Sequence, residues 1–195
     1  MTFPRARFLA GIGGTAADFD PFADLAAAAG LDRDTLEAAC HRRYDERVTR
    51  EDPLPGVVSL CRSAHEAGSK LAVASNADPR DITAFLSQTG LAPLFSTTAT
   101  RTHKVHPKPA PDLYLAALAG LGCPPSEALA FEDSARGVQA AKNAGLRCVT
   151  VPTAVTAAHD LSTADWIVPA LTHVSLTRDG VRLLLRSPWS SRVNS

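Results

Sequence analysis

Apolar residues recur along this chain with two different periods, and the change of period divides it. Leu36, Cys40, Tyr44 and Val48 stand every fourth position behind Asp32 and Asp34, the pattern of an amphipathic helix with acidic residues in its first turn. A shorter helix is predicted over residues 21–29, stopped by Gly30. The run Glu51-Asp52-Pro53-Leu54-Pro55-Gly56 then breaks the pattern. Beyond it, short apolar runs alternate with helical ones: helix 57–67, strand 70–74, helix 80–89 closed by Gly90, strand 95–98, helix 112–120, strand 128–131, helix 134–144 closed by Gly145, strand 148–151 and an edge strand over 165–168. Short buried-type strands separated by helices predict an α/β fold with a doubly wound parallel sheet, whose ligands sit at the carboxyl ends of the strands. The reading is a small helical module over residues 1–52, an α/β core over 53–186 and a disordered tail over 187–195.

Composition narrows the partners. The 195 residues are 45% hydrophobic, and Lys plus Arg and Asp plus Glu each total 20, so no net field draws the chain to nucleic acid or an anionic membrane. No stretch approaches the roughly 20 apolar residues that span a bilayer. Arg5 and Arg7 ahead of Phe8-Leu9-Ala10 have the look of a secretory leader, but Gly11, Gly13 and Gly14 break the apolar run, and export is not expected. Cys40, Cys61, Cys123 and Cys148 are scattered, without disulfide or zinc spacing. A reducing cytoplasm is the expected location.

Three polar clusters fall where strands end or helices begin. Ser75-Asn76 follows the strand at 70–74, where a hydroxyl, an amide and the backbone N–H groups of the next helix can cup a phosphate. Alone it is a turn and helix cap. Lys108-Pro109-Ala110-Pro111-Asp112 holds one lysine at a stiffened helix approach, where an ammonium can offset phosphoryl charge; alone it is an exposed loop lysine. Glu132-Asp133-Ser134 sets two carboxylates where a buried strand meets a helix, hard oxygen ligands suited to Mg²⁺ or else a helix cap. His103 and His106 lack a third ligand at metal spacing and are read as loop residues.

Together the segments 71–76, 108–114 and 130–145 resemble the second, third and fourth motifs of haloacid dehalogenase-like (HAD) hydrolases, in the phosphatase and β-phosphoglucomutase-like branch. Ser75 and Lys108 lie 33 positions apart, and Lys108 and Asp133 lie 25 apart, as in that branch. The resemblance runs from about Phe19 to Leu171. It implies a HAD-like Rossmannoid core, with residues 19–25 in a helical cap that selects substrate. It further implies that Ser75 and Asn76 hold a phosphoryl group, that Lys108 neutralises it, and that Glu132 and Asp133 hold Mg²⁺. The activity implied is hydrolysis of a small phosphate monoester such as a sugar phosphate. A phosphomutase and a non-catalytic phosphometabolite-binding protein are the alternatives; the two carboxylates favour phosphoryl chemistry over dehalogenation.

One motif is missing. The family's first, Asp-x-Asp-x-Thr, carries the aspartate that attacks phosphorus, at the end of a strand that is central, between the strands ending at Ser75 and Phe131. Asp18-Phe19-Asp20 is the only similar string, but glycine and alanine precede it and Phe22 stands at the Thr position, so it is set aside. The expectation is a truncated chain, inactive without an upstream aspartate, with a gap in mid-sheet. Either the flanking strands close up and pair, or another chain or the residues around Phe8 fill the gap.

Overall fold

The computed structural model describes residues 20–48, 52–102, 105–177 and 180–183. The expected tail at 187–195, Asp18 and the residues around Phe8 lie outside them. The chain divides into two compact units between Asp52 and Pro53.

The first unit holds α1, Pro21–Ala29, and α2, Arg33–Val48. Local chemistry sets both ends of α1. Asp20 accepts hydrogen bonds from the Phe22 and Ala23 N–H groups at 3.0 and 3.1 Å, Pro21 occupies the first turn, and Gly30 closes the helix with φ 65°. Asp20 also pairs with Arg33 at 2.8 Å. Asp32 caps α2 by accepting from the Thr35 N–H at 2.8 Å.

The second unit is built of α3 (Val57–Glu66), β1 (Leu71–Ser75), α4 (Pro79–Gln88), β2 (Phe95–Thr100), α5 (Asp112–Leu121), β3 (Leu129–Glu132), α6 (Ala135–Asn143), β4 (Arg147–Thr150) and β5 (Trp166–Ile167), then a hairpin of β6 (Val174–Thr177) and β7 (Gly180–Leu183). Strands and helices alternate as the apolar pattern predicts, with ends shifted by one or two residues. The hairpin was not anticipated from the pattern. All pairings from β1 to β5 are parallel, but the sheet is in two pieces, β1–β2 and β3–β4–β5. Among the described residues no strand joins β1 to β3, and these two strands do not pair with each other.

Helix α5 holds the pieces together. Leu113 and Ala117 pack with Ala99 of β2 and with Ala72 and Ala74 of β1, while Tyr114 and Leu118 pack with Ala130 of β3 and Val138 and Ala141 of α6. Two adjacent stripes on one helix, each at spacing four, therefore serve two half-sheets. A third cluster joins Leu60 of α3 to Phe131, Val149, Val168 and Val174. At the edge of β4, Asp165 accepts from the Cys148 N–H at 2.8 Å and from Lys142 Nζ at 2.7 Å. Among the described residues no helix is long and apolar enough to cross a membrane.

Gly56 starts α3 with φ 94°, and a Cβ there would stand 2.6 Å from the Thr172 nitrogen. Both the left-handed backbone and the clash with another backbone segment oppose any side chain. Gly56→Ala should cost about 1–3 kcal/mol, read as a lower urea midpoint at unchanged slope; an unchanged midpoint would show that this approach is not close in solution.

Candidate functional site

The site grows from the carboxyl ends of β1 and β3. Ser75 is the last residue of β1, and its Oγ accepts from the Ala77 N–H at 3.1 Å, folding the chain into a tight turn. Asp78 then caps α4, accepting from the Arg80 N–H at 2.9 Å, with Pro79 at its first position. Asn76 reaches sideways: its Oδ1 accepts from the Lys108 backbone N–H at 2.9 Å. That bond joins the first and second clusters across 32 residues of sequence. The Lys108–Pro109 peptide is cis, and the Pro109 carbonyl accepts from Asn143 Nδ2 of α6 at 3.0 Å, which fixes the loop from its other side.

Lys108 Nζ bonds to Glu132 Oε1, and the Tyr114 hydroxyl donates to the same oxygen at 2.5 Å. The ammonium lies 4.8 Å from the centroid of the Tyr114 ring. The side chains of Lys108 and Glu132 are 12% and 6% exposed, so neither charge is solvated by bulk water. Burial pushes the Tyr114 phenol well above its ordinary value, and the negative charge of Glu132 pushes it further in the same direction. Tyr114 is therefore a fixed donor. Space for the carboxylate comes from Gly137 in the first turn of α6, where a Cβ would fall 1.8 Å from Glu132 Oε2. Ser134 caps that helix, its Oγ accepting from the Gly137 N–H at 3.2 Å.

The structure thus brings Ser75, Asn76, Lys108 and Glu132 into one continuous constellation, with Asp133 next in sequence and exposed. Tyr114 and Gly137 complete it. Neither was singled out from sequence, although a glycine inside a helical run is a signal of close approach. His106 is tied to the start of α5 by Nδ1 to Asp112 Oδ1 at 2.9 Å, and that bond holds the Asp112 carboxyl below the usual range. His103 lies outside the described residues. Among the described residues no group of three His, Cys, Asp or Glu side chains could hold a metal. The donors Glu132 and Asp133 fit Mg²⁺ in kind, since that ion takes one or two protein carboxylates and fills its remaining positions with water and substrate phosphate.

Comparisons with known proteins bear on the family and the fold. The profile of the haloacid dehalogenase-like hydrolases matches residues 5–145. The chain is 40% identical over 145 residues to YhcW of Bacillus subtilis, named as a candidate phosphatase, covering 73% of this chain and 66% of the relative. It is 42% identical over 141 residues to the protein CbbY of Rhodobacter capsulatus, covering 70% and 62%. A solved structure of CbbY from Rhodobacter sphaeroides, in complex with xylulose-(1,5)bisphosphate, superposes with TM-score 0.64 at 31% identity, covering 72% of this chain and 65% of that one. The chain thus spans just under two thirds of the length of these relatives.

Two variants test the buried carboxylate. Tyr114→Phe leaves one donor fewer on Glu132 and should cost about 1–3 kcal/mol. Gly137→Ala must displace the carboxylate or the helix and should cost about as much. Chemical unfolding of each variant provides the check; if Gly137→Ala unfolds as the natural chain does, Glu132 does not lie against α6.

Proposed function

The chain belongs to the haloacid dehalogenase-like hydrolases, in their β-phosphoglucomutase and phosphatase-like branch, and from that premise we propose that its second unit is the phosphate- and Mg²⁺-binding part of a phosphatase site for a small phosphate monoester, such as a sugar phosphate. The observation that carries this reading is the run of contacts Asn76 to Lys108 to Glu132, which places an amide, an ammonium and a carboxylate side by side at the ends of two parallel strands. The carboxyl ends of strands in a parallel sheet are where α/β folds bind ligands. That a relative's structure holds a sugar bisphosphate supports the substrate class.

Each residue has a role in this reading. Ser75 and the N–H groups of the turn after it hold phosphate oxygens. Lys108, fixed through its own backbone by Asn76, offsets phosphoryl charge from a buried position where the interaction is strong. Exposed Asp133 and buried Glu132 would hold Mg²⁺, which supplies charge stabilisation at the phosphoryl oxygens. Tyr114 keeps Glu132 in place when Lys108 turns toward an anion.

Attack at phosphorus needs a nucleophile, and the described residues of this site do not supply one. No third carboxylate joins Glu132 and Asp133 among them. Asp20 is engaged as the cap of α1 and the partner of Arg33, and burial holds the Cys148 thiol up at about 11, in its protonated form. The 195-residue chain is therefore proposed to bind phosphate without turning it over. The free state of all four cysteines suits a reducing cytoplasm.

Calorimetry with inorganic phosphate and Mg²⁺ should show saturable binding, weakened at least about tenfold by Lys108→Ala, since one charge-assisted hydrogen bond is worth about 1.5–3 kcal/mol. Asp133→Asn should weaken the Mg²⁺-dependent part alone. No p-nitrophenyl phosphate should be hydrolysed; hydrolysis abolished by Asp18→Asn would overturn the assignment of this chain as non-hydrolysing, and absence of phosphate binding would overturn the site.

A further inference from the structure

Gln139 and Asn143 are exposed residues of α6, a helix whose Gly137, Val138, Ala140 and Ala141 are buried. Gln139 Nε2 donates to Asn143 Oδ1 at 2.8 Å, and Asn143 Nδ2 donates to the Pro109 carbonyl at 3.0 Å. The two ends of a side-chain amide have nearly the same shape, one donating and one accepting, so its neighbours decide which way it faces. Gln139 occupies the oxygen of Asn143 and so turns the nitrogen toward Pro109. The carbonyl held there belongs to the residue after Lys108. The Ala110 N–H donates to the Pro107 carbonyl at 3.0 Å, which makes residues 107–110 one turn with Lys108 and Pro109 at its centre. On the other side of this turn the Lys108 N–H donates to Asn76 Oδ1 at 2.9 Å.

We propose that Asn143, oriented by Gln139, is a positioning residue for Lys108, and that α6 thereby sets where the site's cation stands relative to its carboxylate. Two hydrogen bonds from two different elements bracket the turn, and they fix the direction in which the Lys108 side chain leaves the backbone. That direction matters because the ammonium meets Glu132, whose carboxylate is seated against Gly137 of the same helix. From Gly137 to Asn143 α6 rises about 9 Å, at roughly 1.5 Å per residue. One rigid element therefore carries both the seat of the carboxylate and the anchor of the lysine turn. Asn143 acts only through the Pro109 carbonyl and touches no ligand. Without its bond the turn is held from the Asn76 side alone, and the ammonium has to be ordered when an anion arrives, which costs affinity. Lys108 is here the phosphate-facing cation proposed above, and its ammonium can be followed with or without phosphate, so the two readings fail separately.

The test follows the Lys108 ammonium of the 195-residue chain by ¹⁵N magnetic resonance, its signal identified by loss in Lys108→Ala. A buried, ion-paired ammonium exchanges its protons slowly enough to be seen. Asn143→Ala should broaden that signal or move it toward those of exposed lysines, with the urea midpoint unchanged. In calorimetry the same variant should weaken the binding of inorganic phosphate about three- to tenfold, the worth of one neutral hydrogen bond. Gln139→Glu presents only acceptors to Asn143, draws its nitrogen away from Pro109 and should produce the same two losses. In the Asn143→Ala background Gln139→Glu should add nothing; an equal further loss there would show an effect of charge rather than of amide orientation and would overturn the relay. An unchanged Lys108 signal in Asn143→Ala would overturn the positioning role, whether or not the urea midpoint falls. If the natural chain binds no phosphate the site reading fails, and the Lys108 signal still decides the role of Asn143.

Discussion

A carboxylate that is only 6% exposed needs partners of its own, and Glu132 takes two on a single oxygen, the Lys108 ammonium and the Tyr114 hydroxyl. Removing one partner from such a buried pair typically costs about 3–5 kcal/mol, because the remaining charge is left without compensation. Much of the second unit is arranged around this requirement. The loop through Lys108 is held by Asn76, just past β1, and by Asn143 from α6, Tyr114 is set in the first turn of α5, and residue 137 of α6 is a glycine whose missing Cβ leaves the carboxylate its space. Four separate segments therefore meet at one charge.

The same arrangement links two pieces of sheet that share no pairing among the described residues. β1 and β3 share no hydrogen bonds, yet Asn76 at the end of one is linked through Lys108 to Glu132 at the end of the other. α5 makes the corresponding apolar link, with Leu113 and Ala117 facing one half-sheet and Tyr114 and Leu118 the other. Polar contacts at the strand ends and packing along one helix thus link the two half-sheets, between which no ladder runs among the described residues.

Much of this fold was legible in the sequence because its signals are local. Asp20, Asp78 and Ser134 cap helices through their own side chains, and Gly30 and Gly122 end them with positive φ. The hairpin of β6 and β7 was not anticipated, although Val174-Ser175-Leu176-Thr177 and Val181-Arg182-Leu183 alternate apolar and polar residues, because runs this short do not stand out from a loop. The site was legible only in part. Ser75, Asn76, Lys108, Glu132 and Asp133 could be picked out as three clusters, each with a plausible plainer role. What no local pattern could reveal is that Lys108 and Glu132, 24 residues apart, neutralise each other, or that Tyr114 and Gly137 frame them. Those relations exist only once burial removes water from all four.

That pairing bears on how an anion would be received. A lysine held in a buried ion pair is fixed in place and already desolvated, so a phosphate arriving beside it meets a directed charge without the cost of stripping water from the ammonium at that moment. It must compete with Glu132, however, and a carboxylate abandoned by its only partner would oppose the exchange. Glu132 is not abandoned. Tyr114, kept protonated by burial, continues to donate to it, and a divalent cation shared with exposed Asp133 would replace the charge that Lys108 transfers to the phosphate. Placing Lys108 between two anionic partners, with a neutral donor securing the protein's own one, makes the exchange nearly balanced, which is the condition for a site that binds phosphate and releases it.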